Sequence, residues 1–179
     1  MCLLLCVKVR ADFIKSKVFM SQTRLDILKQ IIPELNHCKV LGITVEDVGT
    51  GTLTLKLPYS ENIIGNPETR VIHGGALTTL MDTACGFAAI SALDSATIAP
   101  TLDLRIDYMR PAEPDKSVYG HAEVYRITRN VLFARGIAYQ ESIDKPVAHC
   151  TATFMCLDAS SLDSGTQSAR EKLVRETVK

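Results

Sequence analysis

The chain has 179 residues, enough for one domain of ordinary size with short extensions. It is 46% hydrophobic, 22% charged and has no net charge, which is typical of a globular protein with a buried core. No lysine or arginine run exceeds two residues, so the charge pattern argues against a nucleic-acid-binding surface. The six cysteines form no C-x-x-C pair and none lies at zinc-ligand spacing with a histidine, which predicts buried free thiols in a reducing cytoplasm.

The N-terminal 20 residues are interpreted as an extension. Their apolar stretch is too short for a signal peptide, and Met20 is a possible natural start that would leave residues 1–19 outside the native protein. Ser21 is a suitable N-cap, and apolar residues then recur at helical spacing as far as Pro33. They predict a short amphipathic helix: Leu25, Leu28 and Ile32.

Two strands are predicted next, over Val40–Val48 and Thr52–Leu57. Gly49, Thr50 and Gly51 between them indicate a hairpin turn. The stretch from Pro58 to Arg70 has no periodicity and is predicted to be a loop.

A buried helix is predicted from Ala76 to about Leu93, because apolar residues occur on nearly every face. Asp82 lies in the middle of it, and a carboxylate there is costly unless it is paired or functional. His73, Gly74 and Gly75 precede the helix, and the glycines let another group approach free backbone N–H groups. This stretch therefore combines a histidine, a helix N-terminus and an acid.

Four further strands are predicted after the helix, joined by short turns that favour antiparallel pairing: 98–109, 117–128, 131–141 and 147–157. The alternation in the first of them predicts one apolar face and one polar face. The apolar face comprises Leu102, Leu104, Ile106 and Tyr108. The other face, predicted to be mainly an exposed or dimer-facing row of charges, comprises Thr101, Asp103, Arg105, Asp107 and Met109. The pattern predicts an α+β domain over residues 21–158, followed by a polar tail over 159–179.

The His73-Gly74-Gly75 motif, Asp82 nine residues after the histidine, and the later run 101–112 together resemble the signature of PaaI-type hotdog-fold acyl-CoA thioesterases. The resemblance covers roughly residues 39–157. It implies an antiparallel sheet of about five to six strands wrapped around one long central helix. It also implies a homodimer as the minimal active unit, with the paired sheets joined edge to edge, and a homotetramer built from such dimers.

The chemistry of thioester hydrolysis fits the residue types between His73 and Asp82. The Gly74 N–H at a positive helix N-terminus would polarise the thioester carbonyl, and Asp82 would be either the nucleophile or the general base. His73 is expected to support the loop and the thioester pocket. His73 and Asp82 are separated by about 13 Å along one helix, so one subunit cannot easily bring the Gly74 amide and Asp82 to the same carbon. The family resemblance implies that Gly74 of one chain faces Asp82 of the other.

Further positions follow from the same resemblance. Asn66 corresponds to an asparagine that holds water or the carbonyl, although it lies one residue farther from His73 than in the family pattern. Gly75 gives the acyl carbonyl room to approach, and Thr101 corresponds to a residue that orients water or touches the acyl group. The expected coenzyme A contacts are Tyr108, Arg110 and Arg129.

We therefore expect an acyl-CoA thioesterase without metal or cofactor, binding neither nucleic acid nor membranes. Two alternatives remain open at this point. One is a non-catalytic acyl-CoA-binding protein with the same fold, and the other is a dehydratase acting on hydroxyacyl thioesters. The acyl-chain preference and the tetramer arrangement are not predicted. His121 and His149 are expected to be structural.

Overall fold

The computed structural model describes residues 22–93 and 97–158. The predictions for residues 1–20, for the Ser21 cap and for the tail at 159–179 lie outside the described residues. The helices are α1 (Gln22–Ile31), α2 (Asn36–Leu41) and α3 (Gly74–Ser91), with short 3-10 turns at Ile32–Glu34 and Glu61–Ile63. The strands are β1 (Thr44–Gly49), β2 (Thr52–Leu57), β3 (Thr97–Ile98), β4 (Thr101–Tyr108), β5 (Val118–Ile127), β6 (Val131–Tyr139), β7 (Ala148–Met155) and β8 (Leu157–Asp158).

Six strands form one antiparallel sheet in the order β1-β2-β5-β6-β7-β4, and β3 pairs with β8 in a separate two-stranded sheet. Helix α3 packs on one face of the large sheet, mainly against β2, β5 and β6. The predicted α+β architecture with one long helix and a short N-terminal helix is confirmed. Strands β1 and β4 are the two edges, so each leaves one side without a partner strand in the described chain.

The helix approaches the sheet closely because two strand positions facing it are glycine. A Cβ added at Gly120 on β5 would lie 2.9 Å from Leu80 Cγ, and one added at Gly136 on β6 would lie 2.5 Å from Met81 Cε. Leu80 and Met81 are fully buried. The apolar face of α3 therefore fills the space that larger strand side chains would otherwise occupy.

The predicted strand over Val40–Val48 begins too early. Val40 belongs to α2, which is capped by Gly42 in the left-handed conformation with φ 69°. Glycine tolerates this backbone conformation, so it stops the helix and lets the chain turn into β1 at Thr44. Apolar periodicity alone did not separate one helical turn from a strand here.

The single strand predicted from Ile98 to Met109 is also wrong, because Ala99 and Pro100 divide β3 from β4. Pro100 has no N–H to donate to a strand ladder, although its carbonyl accepts from the Met155 N–H at 2.9 Å. The strand predicted at 147–157 is interrupted in the same region, between β7 and β8.

A β-bulge at Leu102 corrects the predicted faces of β4. The pairing register shifts between Thr101 and Asp103, and Leu102 is 56% exposed. The extra residue turns Thr101 toward α3, where its hydroxyl contacts Asp82, whereas strict alternation had placed Thr101 on the opposite face. Leu104 packs against the core as predicted.

The described cysteines are free thiols, and Cys38, Cys85 and Cys150 are buried. The Sγ atoms of Cys85 and Cys150 lie 3.6 Å apart in the core between α3 and β7. Of the two strand histidines, His121 contacts the Thr54 hydroxyl at 2.9 Å, as a structural residue would.

Candidate active site

The start of α3 leaves one backbone donor available. His73 is the N-cap residue, with φ −63° and ψ 133°, and its Nδ1 accepts from the Gly75 N–H at 2.9 Å. The Ala76 N–H donates to the His73 carbonyl at 3.0 Å. The Gly74 N–H has no hydrogen-bond partner within the described chain. An uncapped amide at a helix N-terminus is suited to bind an oxyanion or a polarised carbonyl.

His73 itself is exposed, and its ring has a defined role in the helix cap. Because Nδ1 accepts the Gly75 N–H, a neutral ring carries its proton on Nε2. The same contact occupies the Gly75 amide, so Gly75 offers space but no free N–H. A Cβ added at Gly75 would lie 2.9 Å from His73 Nδ1.

The Gly74 carbonyl is held by two hydroxyl groups. Tyr108 Oη donates to it at 2.9 Å from the end of β4, and Thr78 Oγ1 donates at 3.0 Å from one turn along α3. The two hydroxyl oxygens are also 2.9 Å apart. The predicted coenzyme A contact Tyr108 therefore lies directly against Gly74, while Thr78 is a residue that the sequence interpretation missed. Its position four residues after Gly74 was the available signal, since such a hydroxyl can bond the preceding turn.

Asp82 lies two turns farther along α3 and is half-buried. Thr101 Oγ1 donates to Asp82 Oδ1 at 2.9 Å. Burial raises the pKa of the Asp82 carboxyl, and the Thr101 hydrogen bond partly opposes that shift by stabilising the carboxylate. A carboxylate whose proton affinity is raised is a better base than an exposed one.

Asp82 and Gly74 do not meet within one chain. Eight helical residues separate them, which is about 12 Å along the α3 axis. Their contacts on β4 show the same separation, because Thr101 is the first residue of that strand and Tyr108 is the last.

A cavity of about 360 Å³ opens beside Gly74. Its lining is mostly apolar and comes from the residues before α3, its first turn, and the end of β4: Val71, Ile72, Gly74, Leu77, Tyr108, Met109, Arg110, Pro111 and Ala112. Arg110 supplies the charged group, and its guanidinium donates to the Lys145 carbonyl at 3.0 Å. The predicted positions Gly74, Tyr108 and Arg110 are thus brought together at one cavity.

Asn66 and Arg129 occupy different surroundings. Asn66 is exposed, and its Oδ1 accepts from the Glu68 and Thr69 N–H groups at 2.8 and 3.2 Å, which closes the loop before His73. Arg129 is exposed in the turn between β5 and β6 and does not line the cavity beside Gly74. Within the described residues of one chain, neither side chain hydrogen-bonds to another predicted site residue or lines the cavity.

Two further properties of the described residues concern membrane-spanning helices and metal sites. None of the helices there is long and apolar enough to span a membrane. Within residues 22–93 and 97–158, no three His, Cys, Asp or Glu side chains are grouped so that they could hold a metal ion.

Comparison with known proteins identifies the family. The model of the thioesterase superfamily matches residues 70–147. A Halobacterium salinarum protein that is provisionally named an esterase is 39% identical over 108 residues, which span 59% of this chain and 70% of its own. The chain belongs to the thioesterase superfamily.

Two solved structures and a further relative are also similar to this chain. A protein of known structure from Pseudomonas aeruginosa is 56% identical, with a TM-score of 0.66 over 73% of this chain and 97% of its own. A variant of the phenylacetic acid degradation protein PaaI from Thermus thermophilus is 25% identical, with a TM-score of 0.59 over 68% of this chain and 98% of its own. A medium/long-chain acyl-CoA thioesterase of Salmonella typhimurium is 25% identical over 65% of this chain and 83% of its own. The predicted PaaI-type hotdog fold is confirmed, and the family supports thioester hydrolysis as the general activity.

Proposed function

We propose that this thioesterase-superfamily member hydrolyses acyl-CoA thioesters to a free acid and coenzyme A. The observation that carries the proposal is the free N–H of Gly74 at the start of α3, because Gly74 lines a mostly apolar cavity. A thioester carbonyl that accepts this hydrogen bond becomes more electrophilic, and the same N–H stabilises the negative charge that develops on its oxygen.

Asp82 supplies the other half of the chemistry. As a general base it takes a proton from water while the water oxygen attacks the carbonyl carbon; as a nucleophile its own oxygen attacks, and water hydrolyses the anhydride that forms. In both routes the carbon–sulfur bond breaks and the thiolate leaves. Thr101 orients the carboxylate through its hydrogen bond to Oδ1, and this bond favours the charged form against the effect of burial, which raises the Asp82 pKa.

Edge strand β4 supports a homodimer as the active unit. Thr101 at its start contacts Asp82, and Tyr108 at its end contacts the Gly74 carbonyl. When two copies of an edge strand pair antiparallel about a two-fold axis, the start of one lies beside the end of the other. Such pairing places Asp82 of each subunit close to Gly74 of its partner. The separation of about 12 Å between Gly74 and Asp82 along one α3 helix then no longer keeps the two groups from acting on one carbonyl.

Exposed residues on β4 support the same pairing. Leu102 and Tyr108 are each more than half exposed in the single chain, as is Met109 just beyond the strand. Unpaired edge strands with exposed apolar side chains are unfavourable in water and are usually covered. We further propose a homotetramer built from two such dimers. The free, buried thiols Cys38, Cys85 and Cys150 are consistent with a reducing cytoplasm.

The substrate assignment rests on the cavity and on the acyl-CoA thioesterase to which the chain is similar. Apolar side chains beside Gly74 favour an uncharged acyl or pantetheine segment over a charged one. His73 completes the site through the cap on Gly75. Arg110 lines the cavity and is proposed to bind the charged part of coenzyme A, although its guanidinium already donates to the Lys145 carbonyl and lies 3.9 Å from Glu113.

The test is release of free thiol from a panel of acyl-CoA esters by wild-type protein and by Asp82→Asn. We expect Asp82→Asn to lower kcat by orders of magnitude without loss of fold. The matched control is Asp47→Asn, because Asp47 is exposed on β1 at the opposite edge of the sheet. If wild-type protein binds acyl-CoA but turns over no ester, the chain is a binding protein. Formation of a 2-enoyl product from a 3-hydroxyacyl-CoA would make it a dehydratase.

A further inference from the structure

The peptide unit between Gly74 and Gly75 is fixed at both ends. Its carbonyl oxygen accepts from Tyr108 Oη at 2.9 Å, and its N–H donates to His73 Nδ1 at 2.9 Å. The carbonyl also accepts from Thr78. A helix N-terminal peptide that is bonded at both ends to side chains is more constrained than helix geometry requires.

The constraint matters because glycine loses more conformational freedom on folding than any other residue. Two consecutive glycines at the start of a helix would otherwise let the first turn fray. The Gly74 N–H belongs to the adjoining peptide unit, so its direction depends on the φ angle of Gly74. Holding the next peptide plane restricts that angle and thereby the direction in which the free N–H points.

Tyr108 is the contact that connects this turn to another element. Thr78 and His73 belong to α3 and its cap, whereas Tyr108 comes from the end of β4. The two hydroxyl groups have two protons for three short contacts, so either both donate to the Gly74 carbonyl, or one donates to it while the other donates to its neighbouring hydroxyl. In each arrangement Tyr108 belongs to the hydrogen-bond network on the Gly74 carbonyl. The ring also lies over Gly74, since a Cβ added there would be 3.1 Å from Tyr108 Oη.

We propose that Tyr108 is a positioning residue, which aims the Gly74 N–H at the thioester carbonyl by holding the Gly74 carbonyl in place. The inference rests on the proposed thioesterase function. It also gives the dimer a second role, because the strand that pairs with the partner subunit is the strand that fixes the catalytic amide. Tyr108 acts through Gly74 and takes no part in bond making itself.

The test compares Tyr108→Phe with wild type in steady-state hydrolysis of an acyl-CoA ester. This variant keeps the ring, and with it the wall of the cavity, but removes the hydroxyl. We expect kcat to fall on the order of tenfold, the effect of one hydrogen bond, while KM stays nearly unchanged. Tyr125→Phe is the matched control, because Tyr125 is exposed on β5 and its hydroxyl has no partner in the described part of the chain.

A double-variant cycle separates positioning from packing. Gly74→Pro removes the N–H that Tyr108 is proposed to aim, so adding Tyr108→Phe to that variant should lower kcat no further. An equal further loss in the Gly74→Pro background, or a loss confined to KM, would overturn the proposal, because Tyr108 would then act on packing or on the substrate. If Tyr108→Phe is fully active while Asp82→Asn is inactive, only the proposed role of Tyr108 is refuted, and the proposed thioesterase function stands. Full activity of Asp82→Asn would instead refute the catalytic role of Asp82 in the proposed function.

Discussion

Two inactive variants of this chain should restore activity when they share a dimer. The first is Gly74→Pro, which removes the candidate oxyanion donor, and the second is Asp82→Asn, which removes the candidate base. Proline suits the first helical position, and His73 has the extended ψ of 133° that a residue before proline adopts. Gly74→Ala is the control, because it adds a Cβ near Tyr108 but keeps the N–H.

The size of the recovery follows from the proposed two-fold geometry. Loss of one oxyanion donor lowers kcat by about 10²–10³-fold, so each variant alone should be nearly inactive. In a mixed dimer, one site combines the intact Gly74 of one subunit with the intact Asp82 of the other, and the second site has neither. Random assortment makes about half of the dimers mixed, so roughly a quarter of wild-type activity should return.

The assay is thiol release after co-expression of the two differently tagged variants, with native mass spectrometry to count mixed dimers. The control is the same pair of proteins purified separately and mixed without subunit exchange, which should remain inactive. If mixed dimers form and activity stays at the level of the parents, each site lies within one chain and the reasoning from β4 is wrong.

Three further outcomes follow from contacts around the site and the core. Thr101→Val removes the hydrogen bond that opposes the effect of burial on the Asp82 pKa, so that pKa should rise further. The acid limb of the kcat/KM profile against pH should therefore move to higher pH, whereas Thr101→Ser should leave it in place. Gln140→Leu deletes three hydrogen bonds between a buried amide and the backbone of Glu113 and Lys116, and urea unfolding should show a loss of about 2–3 kcal/mol. Gly136→Ala crowds the interface between α3 and the sheet and should cost about 1–3 kcal/mol in the same measurement.

The sequence by itself determined the architecture. Apolar residues on nearly every face of residues 76–93 identified α3 as the buried helix, and the short turns after it required antiparallel strands. These features are local, because the side-chain period and the turn residues of a segment do not depend on distant parts of the chain. The same locality made His73, Gly74 and Asp82 visible as one group.

Local patterns failed where a backbone irregularity intervened. The turn at Gly42 ended a helix inside a predicted strand, and the bulge at Leu102 moved Thr101 to the other face of β4. A one-residue insertion changes which face the side chains on one side of it occupy relative to those on the other side, and nothing in the alternation of apolar residues reports where it occurs.

The arrangement of the site was decided by tertiary structure. Two contacts depend on where β4 lies relative to α3: Tyr108 holds the Gly74 carbonyl, and Thr101 holds Asp82. The position of β4 at the edge of the sheet is likewise a property of strand order, since within the described residues β4 pairs with β7 alone, and the paired residues are forty or more apart in the chain. Contacts between segments so far apart in sequence are set by packing of the whole core, which no single segment encodes.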